Sequence, residues 1–175
     1  MSIMELGALG EFVASIGVIA TLIYLAVQMR QNTKAVRLNT ARAVTEELQD
    51  TFGLIVADEG MADVILEAGP KSGLSGAVRV RYYTFTSNLM RVYENAFLQR
   101  QEDAISEAHW TGITRMMIDY TAMAAFPEYW ADRKHWLSDD FQAYVDAEII
   151  SAAPPPGVNI PGNYRNAQEE GVAKG

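Results

Sequence analysis

The sequence contains no cysteine and only two histidines, His109 and His135. The absence of cysteine excludes disulfides, thiolate catalysis and metal sites with cysteine ligands. There is also no Gly-x-Ser-x-Gly nucleophile elbow and no complete phosphate-binding loop. Residues 69–73 (GPKSG) come nearest to such a loop, but the proline removes one of the amides that would hold a phosphate, so this segment predicts a hinge. The sequence predicts no catalytic residue and no cofactor.

Metal ligands are equally scarce. A di-iron bundle needs Glu-x-x-His pairs on two helices together with further carboxylates. A carboxylate and an imidazole three residues apart occur once, as Asp132 and His135. We interpret them as a surface pair and His109 as a partly packed residue beside Trp110, and we predict no metal site.

Charge is absent from one long stretch. Residues 12–29 (FVASIGVIATLIYLAVQM) include no charged side chain. At about 1.5 Å per residue, a helix of this length reaches roughly 27 Å, close to the roughly 30 Å hydrocarbon core of a bilayer. The stretch therefore predicts a single transmembrane helix. The alternative, a buried helix of a soluble bundle, does not explain why basic residues begin where a bilayer would end.

The residues that flank this stretch predict its orientation. Glu5 and Glu11 precede it, whereas the segment 30–42 contains basic and no acidic side chains. Basic flanks stay on the cytoplasmic side, so we expect the inner (plasma) membrane, the amino terminus outside and the remaining chain in the cytoplasm. The same basic residues are expected to attract anionic lipid headgroups, at about 1 kcal/mol each; the alternative is that they determine topology alone. They are Arg30, Lys34, Arg37 and Arg42.

Small residues recur in and before the apolar stretch at spacings of three and four. They are Gly7, Gly10, Ala14, Gly17 and Thr21. This spacing places them on one stripe of a helix, and transmembrane helices associate where small residues let their backbones approach closely. The stripe predicts self-association through the transmembrane helix. The alternative is that glycine and alanine are simply common in such helices.

The remaining chain predicts an all-α fold in which the transmembrane helix continues into a cytoplasmic bundle of four or five helices. We divide the chain into a lead and transmembrane helix (1–29), a basic juxtamembrane helix (30–43), the bundle (44–152) and a Pro/Gly-rich tail (153–175). The tail has too few apolar residues to order itself, and it could serve as a docking peptide or as a plain disordered end.

Apolar residues at helical spacing mark the bundle. The clearest series runs from Val78 to Phe97, where the helical register over five turns outweighs the strand-like alternation of residues 78–86. We expect the next helix to start at residues 102–104, another to begin at Pro127, and a last one to be capped by Ser138.

Arginines share two of these helices with aromatic residues. They could line an amphipathic pocket for an anionic ligand or a lipid. The alternative is a bundle in which aromatic rings cap the core while arginines meet the acidic exterior. The residues of this predicted pocket are Arg81, Tyr82, Arg91, Tyr93 and Trp110.

Two stretches resemble a broad group of bacterial single-pass membrane proteins of no known activity. One is TLIYLAVQMRQNT (residues 21–33), preceded by Leu6-Gly7 and Glu11-Phe12. The other is the block of Trp130, Arg133, His135 and Trp136 leading to Ser138 and residues 141–146. The resemblance covers both ends of the folded chain and implies a membrane-anchored helical protein without a known activity.

These observations predict a structural or regulatory membrane protein that associates with itself or with another membrane protein, in contact with the lipid bilayer. The alternative is a sensor domain that binds a lipid or small ligand at the inner membrane face. An enzyme has no motif in its favour. Nucleic-acid binding is not expected, because the net charge is −8 and the part of the chain that follows the basic segment is acidic.

Overall fold

Residues 3–152 are described by the structure, a computed structural model, apart from the side chains of residues 3–6, 8, 9 and 13. They form six α-helices and no strand, which confirms the all-α class. The helices are α1 (Ile3–Ala57), α2 (Glu59–Ala68), α3 (Gly76–Gln101), α4 (Glu107–Thr121), α5 (Phe126–Arg133) and α6 (Asp139–Tyr144). A 3-10 turn, Lys134–Trp136, follows α5, and a π-helical turn, Val145–Ile149, follows α6. The predicted tail, 153–175, lies outside the described residues.

The chain divides into two compact units, Met1–Asn39 and Thr40–Gly175. In the first unit, every side chain that the structure describes is exposed. By length and composition α1 can cross a membrane: within Gly10–Ala57 one 18-residue window has a mean hydropathy of 2.1, and none of that window is buried. Core helices of soluble proteins can be as apolar, but they are mostly buried.

Helix α3 provides most of the core of the second unit. Its residues at spacings of three and four lie on one face, and the aromatic and leucine side chains there are buried, as the sequence predicts. They are Tyr82, Phe85, Leu89, Tyr93 and Phe97. Around this face pack Val44 and Leu48 of α1 and the buried faces of α2, α4, α5 and α6. Residues 78–86 are therefore helical, although their alternation is typical of a strand.

Two predicted helix starts agree with the structure and one does not. Pro127 lies in the first turn of α5, and Ser138 directly precedes α6. The helix expected to start at residues 102–104 begins instead at Glu107. Asp103 adopts a left-handed backbone (φ 55°) that interrupts the helix, and the Ser106 hydroxyl accepts the His109 N–H to cap α4.

A buried carboxylate joins α3 to the start of α6. Glu94 is only 5 % exposed, and its Oε1 accepts the backbone N–H of Ser138 at 2.6 Å. Its other oxygen accepts from Arg91 Nη1 at 2.7 Å, while Arg91 Nη2 donates to the Trp136 carbonyl at 3.0 Å. One acid and one arginine of α3 therefore fix the turn between α5 and α6, and Ser138 precedes the helix without a side-chain capping bond.

Replacing Glu94 tests this junction. Glu94→Ala removes the buried carboxylate that accepts from both Ser138 and Arg91, so we expect the free energy of unfolding to fall by about 2–3 kcal/mol. Glu94→Gln keeps an acceptor oxygen and should lose less. The measurement is denaturant unfolding of the full chain in neutral detergent, followed by circular dichroism. Glu102→Ala, at an exposed site, is the control and should change stability by less than about 0.5 kcal/mol; equal losses in both alanine variants would contradict the prediction.

Candidate functional site

The small residues of the predicted stripe lie on α1. Gly7, Gly10 and Gly17 have no atom within 4 Å of the position that a Cβ would occupy, beyond their own helix backbone, and Ala14 is exposed. Thr21 donates its hydroxyl to the Gly17 carbonyl at 2.8 Å. The stripe is thus an open surface of a single chain, and its role in association stays a prediction.

The polar side chains of the apolar stretch are satisfied inside the helix. Residues 12–29 contain four of them. Ser15 Oγ donates to the Phe12 carbonyl at 2.7 Å, and Thr21 bonds to the carbonyl four residues before it. Gln28 Nε2 donates to the Tyr24 hydroxyl at 3.1 Å. Because lipid offers no hydrogen-bonding partner, this internal pairing lowers the cost of placing the stretch in a bilayer.

The four basic residues divide between the two units. Arg30, Lys34 and Arg37 belong to the first, are exposed, and follow one another at spacings of four and three on one side of α1. Arg42 belongs to the second and pairs with Glu46 at 2.8 Å. An exposed pair of this kind adds little stability. The first three therefore form the basic cluster nearest the apolar stretch.

The five residues of the predicted Arg and aromatic pocket have different surroundings in the structure, and their role as a ligand site stays a prediction. Tyr82 and Tyr93 are fully buried, and burial raises the pKa of both hydroxyls above the ordinary value. Arg81 pairs with Asp58 at 3.0 Å. The remaining two are also structural: Arg91 forms the junction with Glu94, and Trp110 packs against Phe97 and Tyr144. Arg91 lies nine residues after Tyr82, about 180° around the helix, and therefore faces away from it.

A different concave site lies within the second unit, between α1 and α4. We name it the α1–α4 groove; it encloses about 590 Å³. Apolar side chains dominate its lining, and Thr45, Gln49 and His109 are its polar ones. Thr45 Oγ1 and His109 Nε2 lie 3.4 Å apart, so they meet across the two helices. The other lining residues are Leu48, Phe52, Gly53, Val56, Ala108, Gly112, Ile113 and Met116.

Two helical glycines keep this groove open. A Cβ at Gly53 or Gly112 would have no atom within 4 Å other than those of its own helix backbone. Larger residues at both positions would fill the space between the helices. Sequence reasoning missed the groove because helical spacing marks Leu48 and Phe52 as residues of an apolar face but does not show that they also line a cavity. The sequence did contain a signal for the groove, namely Gly53 and Gly112. Each glycine lies inside a helix in which apolar residues recur at spacings of three and four.

The groove and a few polar groups at its wall match the general form of a site for an apolar small molecule. No metal-binding group of three or more acidic or histidine side chains occurs in the described residues. No protein family model, no curated protein and no solved structure matches this chain.

Alanine substitution tests whether the groove is open at its glycines. Gly112→Ala adds a methyl group to free space in a helix, so we expect the free energy of unfolding to rise by about 0.5–1 kcal/mol. Gly76→Ala is the matched control: it also meets free space, but its φ of +57° strains an alanine, so stability should fall by about 1 kcal/mol. Denaturant unfolding of both variants measures the change in the free energy of unfolding. A lower stability of Gly112→Ala would show that the groove is closed at this glycine.

Proposed function

We propose that this chain is a membrane-anchored helical protein with a structural or regulatory role, held in the bacterial inner membrane by α1 and self-associating through its small-residue stripe. The amino terminus lies outside, and the helical domain lies in the cytoplasm. The bilayer and its anionic headgroups are its constant partners, and a second copy or another membrane protein is its lateral one.

The observation that carries the proposal concerns the apolar stretch of α1. Its side chains are exposed, and its polar side chains form hydrogen bonds within the helix. An 18-residue apolar window that none of the described residues covers would expose a large apolar surface to water. Its hydroxyl and amide groups already bond within the helix, so lipid is a suitable surrounding. The exposed basic residues Arg30, Lys34 and Arg37 then supply the cytoplasmic flank.

One experiment tests the anchor and the association separately. Gly10→Leu, Ala14→Leu and Gly17→Leu are combined in the full chain. We expect both wild type and variant to stay with the membrane after an alkaline wash, because leucine keeps the helix apolar. The variant should fall from an oligomer to a monomer in detergent, because leucine prevents close backbone approach. Multi-angle light scattering with detergent correction measures the mass.

The matched control is Ala26→Leu, which makes the same change as Ala14→Leu about 120° around the helix. It should leave the oligomer intact. A wild-type chain that leaves the membrane in the wash contradicts the anchor. A variant with the same oligomer mass as wild type contradicts self-association through the stripe but not membrane anchoring. The two parts of the proposal are therefore tested independently.

A second candidate function is favoured by the α1–α4 groove. In it, the domain is a sensor that holds an apolar small molecule or a lipid chain, with Thr45 or His109 bonding its one polar group. About 590 Å³ is within the range of small-molecule sites. The groove lies wholly in the second unit, so this candidate does not require self-association.

Gly112→Leu tests the sensor by filling the groove. We expect an apolar molecule to co-purify with the full-length wild type and to be reduced at least tenfold in the variant, as measured by mass spectrometry of solvent extracts. Gly112→Ala adds far less volume at the same site and should retain most of it. If all three proteins carry the same amount of the same molecule, that molecule is bound to the detergent or elsewhere on the chain. This result would contradict the proposal that the groove is a sensor site.

A further inference from the structure

A separate cavity of about 380 Å³ lies between α3 and the turn after α5, and it shares no residue with the α1–α4 groove. We name it the Arg133 pocket. One side is the part of α3 that faces away from the core, and the other is the end of α5 with the 3-10 turn. The residues that carry its chemistry are Tyr83, Thr84, Ser87, Asn88, Arg133 and Trp136.

Arg133 is held by aromatic rings rather than by acids. Its guanidinium carbon lies 4.6 Å from the centre of the Trp136 ring and 5.7 Å from that of Tyr83. Both rings therefore offer their faces to the cation. Arg133 makes no hydrogen bond or ion pair with any residue from 3 to 152, so its planar set of N–H groups is available to a ligand.

The carboxylates nearest to this pocket are committed to another arginine. Asp132 Oδ2 accepts from Arg79 Nη2 at 2.7 Å and from the Tyr83 hydroxyl at 3.1 Å. Glu128 accepts the Gly73 N–H at 3.0 Å and lies 3.7 Å from Arg79. Two arginines and two carboxylates leave no net charge here. An anion would therefore be selected by direct contact with Arg133 rather than by long-range attraction.

The opposite wall adds neutral hydrogen-bonding groups. Thr84, Ser87 and Asn88 follow one another at spacings of three and one on the outer face of α3. The Ser87 hydroxyl accepts from Tyr129 at 3.3 Å, which leaves its own hydrogen free to donate. Val80 and Trp136 are 66 % and 51 % exposed, so apolar surface remains open at the cavity.

We propose that the Arg133 pocket binds a small organic anion, in which a carboxylate or phosphate group on an apolar or aromatic body pairs with Arg133 and the body lies against Trp136. The pairing suits the planar N–H pattern of arginine, and a cavity of about 380 Å³ suits a molecule of metabolite size. This inference does not depend on membrane anchoring or on self-association, because every residue it uses lies in the second unit.

Phenyl phosphate is the probe, and the full chain in nanodiscs of zwitterionic lipid is the protein. The indole N–H signals of the three tryptophans are followed by nuclear magnetic resonance, and the Trp136 signal is assigned by its loss in Trp136→Phe. We expect a saturable shift of the Trp136 signal and little change at Trp130, whose indole N–H bonds to Asp146 at 2.6 Å. No saturable shift up to about 10 mM, or a shift at Trp110 or Trp130 instead, would overturn the proposal.

Arg133→Gln should weaken binding at least tenfold, because it removes the charge and the paired N–H groups while leaving a polar side chain. Asn88→Asp places a second negative charge in the pocket at an exposed position and should weaken binding similarly. Arg115→Gln, an exposed arginine outside the pocket, is the matched control and should bind as wild type does. Unchanged Trp110 and Trp130 signals show that each variant is folded. Equal affinity in all four proteins would overturn the proposal.

A soluble metabolite and a lipid headgroup could both supply such an anion, and nanodiscs that contain anionic lipid distinguish them. If headgroups occupy the pocket, phenyl phosphate binding to wild type weakens as the anionic lipid fraction rises, and before the probe is added the anionic lipid already shifts the Trp136 signal of wild type but not that of Arg133→Gln. If the source is a soluble anion, the affinity of the wild type stays the same in both kinds of nanodisc. Either result supports an anion site and identifies its source.

Discussion

The helical repeat of α3 is the constraint on which the second unit depends. At 3.6 residues per turn, only residues three and four apart can share the face that packs on the other helices. Tyr82, Leu89 and Tyr93 occupy that face and are fully buried. Arg91 lies off that face and reaches the turn before α6, and Tyr83 lines the outer cavity with Arg79. The helical periodicity of α3 thus places core residues and polar surface residues on different sides of the same helix.

Polar groups that are removed from water are stabilised by hydrogen bonds, and some of these bonds link residues that are distant in sequence. In the apolar stretch of α1 the partners are local, because each hydroxyl or amide bonds within a turn of itself. In the domain they are remote, as where Glu94 accepts the N–H of Ser138. Burial without partners costs several kcal/mol, so both solutions are needed. The two cases differ because no described residue packs against the apolar stretch of α1, so its polar groups can bond only within their own helix.

The α1–α4 groove and the Arg133 pocket arise from different causes. The α1–α4 groove exists because small residues, Gly53 and Gly112, leave space between two facing helices. The Arg133 pocket exists because α5 ends at Arg133 and the chain turns across the outer face of α3. The first is apolar and the second is rich in hydrogen-bond donors. They therefore suit different ligands, an apolar molecule in the groove and an organic anion in the pocket.

The sequence by itself determined the all-α class, the apolar stretch and the buried face of α3, because each is a local pattern of hydrophobicity or charge that repeats along one helix. Only the tertiary structure decided which polar residues meet. It placed Tyr82 and Tyr93 in the core, joined Arg91 to Glu94, and brought Arg133 to Tyr83 and Trp136. The physical reason is that a cavity forms between elements far apart in the chain, whereas periodicity reports only which side of one element is apolar.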